Sequence, residues 1–234
     1  MPVFRIPQEH FFPHPALAEQ NGLLGVGSDL HPDRLILAYS SGIFPWYNEG
    51  QPILWFSPDP RFVLYPTRMH VGRNTRKSVR RKKFTITMDR AFEQVIDHCS
   101  AIPRPGQFGT WITKEMREAY LGLHEKGYAH SIEAWQEGQL VGGLYGVCVG
   151  DLFAGESMFA KVGDASKVAF THFVQQAVLW GIKLIDCQVY TDHLHRFGAQ
   201  DISREEYLHT IRPLVNAYRE PRTWSFDEGF FPQF

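Results

Sequence analysis

The sequence predicts an α+β protein, with a small, irregular N-terminal domain over residues 1–62 and a mixed-sheet domain over residues 63–234. Three observations carry that reading. Ten of the 15 prolines lie within residues 1–66 among 11 aromatic residues, which marks short elements packed by rings. Beyond them, three strand-like apolar runs are joined by links of two or three residues, short enough for antiparallel hairpins. A helical run and another apolar strand follow those hairpins.

Each element has a local cause. Pro32 suits the first turn of a helix over 32–41. Residues 84–88 alternate as a strand, and Asp89 is placed to cap a helix running to about Cys99. Thr113 caps a second helix, which Gly127 ends. The three runs cover 128–135, 139–149 and 152–159, linked by Gln136-Glu137-Gly138 and Gly150-Asp151. Asp164 then caps a helix with apolar Val168, Phe170, Phe173, Val174, Ala177 and Val178, closed by Gly181. A strand over 182–189 follows, and Ser203 opens the last clear helix.

The chain of 234 residues and 26.9 kDa can bury a core without disulfide or metal staples. With 44% apolar and 21% charged residues, it is neither disordered nor collagenous nor a coiled coil. No apolar run approaches the roughly 18 residues of a spanning helix. Met1-Pro2-Val3-Phe4-Arg5 lacks a basic segment followed by an apolar one, which predicts no export signal. Cys99, Cys148 and Cys187 form no Cys-x-x-Cys pair and read as reduced thiols. The expectation is a soluble cytoplasmic protein with no membrane partner.

The net charge of −1 hides an asymmetry. Arg73, Arg76, Lys77, Arg80, Arg81, Lys82 and Lys83 fall within eleven residues that hold no acid; without them, 17 bases face 25 acids. Arg73, Arg76, Lys77 and Arg80 share one helix face, a stripe suited to a phosphate backbone. The plainer alternative is a solvated basic face. No zinc-finger spacing or aromatic RNA-binding signature accompanies it, so any binding is to backbone and shape.

Candidate chemistry centres on Leu184-Ile185-Asp186-Cys187-Gln188-Val189. Aspartate is depleted in strands, so Asp186 within an apolar strand needs a reason. Alternation places Asp186 and Gln188 on one face, with Ile185, Cys187 and Val189 on the other. That pair is either a structural hydrogen-bonding group or a functional one. Cys187 reads as core rather than nucleophile. There is no Gly-x-Ser-x-Gly motif, and Gly25-Val26-Gly27 is too short for a nucleotide loop. His193-Leu194-His195 lacks ligand partners at zinc spacing, so no metal is expected.

The strand–hairpin–helix–strand order from residue 128 resembles the acetyltransferase-like (GNAT-type) acyl-transfer fold, with Val141-Gly142-Gly143 at its usual place. Members using coenzyme A carry Arg/Gln-x-x-Gly-x-Gly/Ala next, where amides hold pyrophosphate at a helix N-terminus. Here the stretch reads Ala160-Lys161-Val162-Gly163-Asp164-Ala165-Ser166-Lys167, without that pattern and with an added acid. No coenzyme A, and no other cofactor, is expected. An acyl donor carried on RNA reconciles this with the basic stripe.

Seven motifs then occur in order: Asn21-Gly22-Leu23-Leu24, Gly42-Ile43-Phe44-Pro45-Trp46, Trp55-Phe56-Ser57-Pro58-Asp59-Pro60-Arg61, Gly109-Thr110-Trp111-Ile112-Thr113, His130-Ser131-Ile132-Glu133, Gly155-Glu156-Ser157-Met158-Phe159 and Ile185-Asp186-Cys187-Gln188. Together they closely resemble the leucyl/phenylalanyl-tRNA–protein transferase family. The resemblance implies transfer of Leu, Phe or Met from aminoacyl-tRNA to proteins with an N-terminal Arg or Lys, marking them for N-end-rule degradation. It implies that Asp186 and Gln188 form the catalytic pair, acting on the amine as a relay. Trp46 and Trp111 match aromatics beside the terminal adenosine; the alternative is that either indole fills the core. Phe153, Met158, Phe173 and Ile185 match the pocket for the amino-acid side chain. Glu156 is placed to meet the acceptor's cationic side chain or to form a structural ion pair. Residues Arg73 to Lys83 of the basic block are then the tRNA contact.

Overall fold

The computed structural model describes residues 3–102 and 111–234, so Gly109 and Thr110 of the fourth motif lie outside the described residues. The elements in chain order are β1 (Phe4–Arg5), β2 (Leu23–Val26), α1 (Pro32–Ser40), β3 (Phe44–Pro45), β4 (Leu54–Phe56), β5 (Arg61–Leu64), α2 (Arg73–Arg80), β6 (Thr85–Met88) and α3 (Phe92–Ala101). There follow α4 (Lys114–Glu125), β7 (Ala129–Gln136), β8 (Gln139–Val149), β9 (Leu152–Ala160), α5 (Ala165–Leu179), β10 (Leu184–Gln188), α6 (Asp192–His195), β11 (Gln200–Ile202) and α7 (Arg204–Val215).

The N-terminal segment forms a small sheet in the order β1-β2-β4-β3. Rings and polar anchors replace length of strand there. Trp55 is fully buried, meets Phe12 edge-on at 4.8 Å, and donates its indole N–H to the Gly27 carbonyl at 2.9 Å. Buried Arg34 ties the chain start down by donating to the Gln8 and Glu9 carbonyls and to Asp29.

The larger sheet is mixed, in the order β11-β5-β10-β9-β8-β7-β6. Strands β7, β8 and β9 form the expected antiparallel meander. Glu137 and Gly138 both take positive φ (51° and 75°), the turn whose twist matches its flanking strands. Helix α5 then crosses over, so that β10 pairs parallel to β9. Alternation over residues 144–149 of β8 divides two cores: Tyr145, Val147 and Val149 join one cluster, Leu144 and Cys148 the other. The first cluster includes α1, α3, α4 and the small sheet; the second is roofed by α5, through Phe170, Phe173, Val174 and Ala177.

Two expected caps are corrected. Asp89 does not cap α3, which starts at Phe92; it takes φ 52°, accepts from the amides of Ser131 and Trp224, and pairs with His130 at 2.8 Å. Asp164 immediately precedes α5 with φ 72°, but its carboxylate makes no cap and instead accepts from Lys167 and Ser78. By contrast Thr113 and Ser203 cap α4 and α7 through their hydroxyls as expected. The strand expected over 182–189 is confined to Leu184–Gln188.

Candidate active site

Strand β10 lies between β5 and β9, with Asp186 opposite Val63 on one side and Ala154 on the other. The reason for an aspartate here is Arg61, at the start of β5. Its Nε donates to Oδ1 at 2.8 Å and its terminal nitrogen to Oδ2 at 2.6 Å, with both side chains about 1% exposed. Tyr207 from α7 donates to Oδ2 at 2.8 Å, and the Gln188 amide to Oδ1 at 2.9 Å. Arg61 lies between the rings of Phe44 (4.8 Å) and Tyr207 (4.5 Å) and donates to the Gly42 carbonyl. Burial acts to lower its pKa, but the adjacent carboxylate outweighs burial and holds it above its ordinary value. Asp186 is therefore a neutralised, saturated acceptor.

The ladder shifts register between Asp186 and Gln188, and Gln188 takes φ 64°. A non-glycine residue in that region costs on the order of 1–3 kcal/mol and is retained where function requires it. The twist sends the Gln188 side-chain amide to Glu156, where Nε2 donates to Oε1 at 2.8 Å. Cys187 keeps the face expected of it, packed with Ile185 in the second core cluster, and both also border the cavity. Burial pushes the Cys187 thiol well above its ordinary value, which suits no nucleophile.

Glu156 is aimed by a different irregularity. Gly146 pairs with Gly155 and Tyr145 with Ser157, so Glu156 is the extra residue of a β-bulge. A Cβ at position 146 would lie 2.3 Å from the Ala154 carbonyl oxygen and 2.5 Å from the Phe153 ring, which accounts for glycine there. Tyr39 from α1 donates to Oε1 and Tyr120 from α4 to Oε2, each at 2.8 Å, while the two hydroxyls are 2.5 Å apart. Burial, partly opposed by these donors, raises the Glu156 pKa to about 7.

Asp186, Gln188 and Glu156 border a cavity of about 630 Å³, a size suited to a small-molecule moiety. Trp46, Trp111, Phe153, Met158 and Ile185 line it as well, together with Leu144, Phe170 and His193. Phe173 does not: it packs behind Phe153 at 4.4 Å between ring centres and supports the wall from the second layer. Trp111 is buried and Trp46 half-buried, edge-on to Phe56.

The basic block forms α2 and the turn after it. Thr75 and Val79 point inward, leaving Arg73, Lys77 and Arg80 exposed. Arg76 is half-buried, with Nε donating to the Val71 carbonyl and the guanidinium 5.6 Å from the Phe234 ring. The helix ends at Arg80, so Arg81, Lys82 and Lys83 continue the charge in a turn rather than along the stripe. Lys82 faces Phe231 at 5.7 Å, and Lys83 donates to the Gly163 carbonyl. Ser78 bonds Asp164, which sets α2 against the first turn of α5, where Ser166 borders the cavity. Among the described residues, no cluster of three His, Cys, Asp or Glu could hold a metal, and no helix is long and apolar enough to cross a membrane.

Arg61, Tyr207, Tyr39, Tyr120 and His193 are site residues that the sequence reading left unassigned. Arg61 had a signal: an arginine leading into Phe62-Val63-Leu64 needs a buried acid, and Asp186 needs a base.

A family model described as leucyl/phenylalanyl-tRNA protein transferase matches residues 63–212, and one for that family's N-terminal domain matches residues 28–59. The leucyl/phenylalanyl-tRNA–protein transferase of Myxococcus xanthus is 54% identical over 98% of this chain and 98% of its own. Those of Anaeromyxobacter sp. (strain Fw109-5) and Nitrosospira multiformis are 52% and 51% identical, covering 99% and 95% of this chain and 99% and 96% of theirs. Among solved structures, L-PGS from Bacillus licheniformis is 12% identical with a TM-score of 0.36, over 68% of this chain and 53% of that one. By its matches along nearly the whole length, the chain belongs to the leucyl/phenylalanyl-tRNA–protein transferase family.

Proposed function

We propose that the protein moves Leu, Phe or Met from aminoacyl-tRNA to the α-amino group of proteins beginning with Arg or Lys, and so marks them for N-end-rule degradation in the cytoplasm. The observation that carries this reading is the convergence of an apolar wall, two indoles and the Glu156–Gln188–Asp186 group on one cavity. Phe153, Met158, Leu144 and Ile185 give the donor side chain an apolar bed, which distinguishes one methylene by only roughly 1–3 kcal/mol and so yields graded selection. Trp46 and Trp111 offer flat faces to the terminal adenine. The α2 stripe, beside α5, meets the more distant tRNA phosphates.

In the reaction, the acceptor amine attacks the ester carbonyl; an acyl C–N bond forms, the bond between the acyl carbon and the ribose oxygen breaks, the amine loses a proton, and the ribose oxygen gains one and leaves as the hydroxyl. Asp186 is already neutralised by Arg61, so the negative charge open to the cavity resides on Glu156. Glu156 draws the cationic acceptor, and a carboxyl titrating near neutrality takes up the amine proton. Gln188, with Nε2 committed to Glu156, turns its amide oxygen to the amine N–H. Asp186 positions Gln188 through its backbone amide rather than exchanging protons with it. The aminoacyl ester is already activated, so no covalent enzyme intermediate is required.

Labelled Leu-tRNA incubated with peptides beginning with Arg or Ala tests the reading. Label is expected in the Arg peptide alone; equal labelling of both refutes the acceptor assignment.

A further inference from the structure

Beyond Gln188 the chain leaves the sheet and forms the short helix α6, opened by Thr191, whose hydroxyl accepts from the Leu194 amide at 3.2 Å. That cap, and edge-on packing against buried Phe197 at 5.5 Å, fix the His193 ring at the cavity lining. Its Nε2 is shielded from solvent and has no hydrogen-bond partner. A buried polar atom left in that state is costly, and a catalytic or binding role is one reason for a protein to keep it.

The surroundings indicate what the partner is. Burial first, then the charges of Lys167 and Arg196, hold the imidazole below its ordinary pKa, so at neutral pH the ring is uncharged, with one N–H and one lone pair. Arg196, and Lys167 although it is shared with Asp164, give this wall a positive potential that suits oxygen atoms rather than an aliphatic side chain. The wall also adjoins Ser166 in the first turn of α5, next to Asp164, which holds Ser78 of α2.

We propose that His193 is a donor-binding residue, its Nε2 completing a hydrogen bond to an oxygen at the ribose-phosphate end of the aminoacyl nucleotide. It holds the ester in register with Glu156 and Gln188 across the cavity. The inference rests on the cavity being the donor site.

Two variants separate the hydrogen bond from the packing. His193→Leu keeps the bulk against Phe197 but removes Nε2, and His193→Gln returns a polar amide near that position. Transfer to an Arg-initial peptide is measured with Leu-tRNA and with leucyl-adenosine, which has no phosphate. His193→Leu is expected to raise the donor KM roughly 2- to 10-fold, the worth of one hydrogen bond, with the peptide KM and Tm unchanged. His193→Gln is expected to recover part of that loss. An effect with both donors places the oxygen on the ribose; an effect with Leu-tRNA alone places it on a phosphate. An unchanged donor KM in His193→Leu overturns the proposal, as do equal losses in both variants with a lowered Tm. Trp46→Ala serves as control: if it raises the donor KM and His193→Leu does not, only the role of His193 falls. If neither does, the cavity is not the donor site.

Discussion

Asp186 and Glu156 border one cavity from adjacent strands, Asp186 buried and Glu156 half-buried, and each has at least three donors. Asp186 has a guanidinium on both oxygens. Glu156 has two phenols and an amide, none of them charged. Burial penalises either anion; a buried cation offsets the penalty for Asp186, whereas neutral donors offset it only partly for Glu156. The charge of their partners, and not depth alone, therefore separates the two acids.

The largest effects come from breaking the paired acid. Asp186→Ala strands the Arg61 cation in the core and is expected to cost about 3–5 kcal/mol of folding stability, read as a lower midpoint in denaturant. The pair Arg61→Met with Asp186→Leu is expected to restore most of that stability, since apolar replacement of a buried ion pair is often neutral. Transfer is expected to stay slow in the double variant, because the Gln188 amide has lost Oδ1. A stable and fully active double variant shows that Asp186 serves the fold alone.

The unpaired acid responds to pH. For Glu156 the folded value, about 7, lies above the ordinary 4.5, so the native state binds this proton more tightly. The resulting stabilisation is complete below pH 4.5 and is lost as pH rises through about 7. Glu156→Gln removes that dependence: relative to the native sequence it is expected to gain stability from pH 4 to pH 8, by at most about 3 kcal/mol. Its transfer rate is expected to fall roughly 10²- to 10⁴-fold and to lose the limb near pH 7, keeping only that of the acceptor amine near pH 8. Unfolding in urea at both pH values, with a pH–rate profile, checks both parts; an unchanged profile removes Glu156 from the proton path.

A smaller effect sharpens the contrast between the cavity and the basic helix. Arg73→Glu with Lys77→Glu alters two exposed positions of α2. It is expected to weaken Leu-tRNA binding and to flatten the slope of log affinity against log salt by roughly 1 to 2 units. Transfer from leucyl-adenosine is expected to be unchanged. Equal losses with both donors mean that α2 supports the fold instead.

Much of the larger sheet was legible because its strands are long, alternate cleanly and are joined by two-residue turns, as β7 and β8 are. The small sheet was not: β1 and β3 have two residues each, too few for any period. Strand β5 was missed for a related reason, since all four residues are buried and no alternation marks it. In the site, Asp186 stood out as an acid in an apolar strand, while its solution, Arg61, lies 125 positions away. Alternation placed Cys187 correctly beside Ile185 in the second core cluster, although both also border the cavity. Tyr39 and Tyr120 sit on helices as ordinary amphipathic positions, and only the tertiary fold brings them to Glu156. Phe173 matched a pocket position yet supports the wall from behind, a distinction of a few ångströms that sequence does not carry.

The absent side chain at Gly146 ties two specificities together. The space it leaves admits the Phe153 ring on one side and the bulge that aims Glu156 on the other. Under the proposed roles, Phe153 in the donor bed and Glu156 at the acceptor, one backbone site sets the shape of both. Enlarging residue 146 to trim the choice of amino acid would also swing the carboxylate that receives the protein terminus. On the proposed function, donor and acceptor preference are thus coupled. A lineage that altered one through this position would have to re-fit the other in the same step.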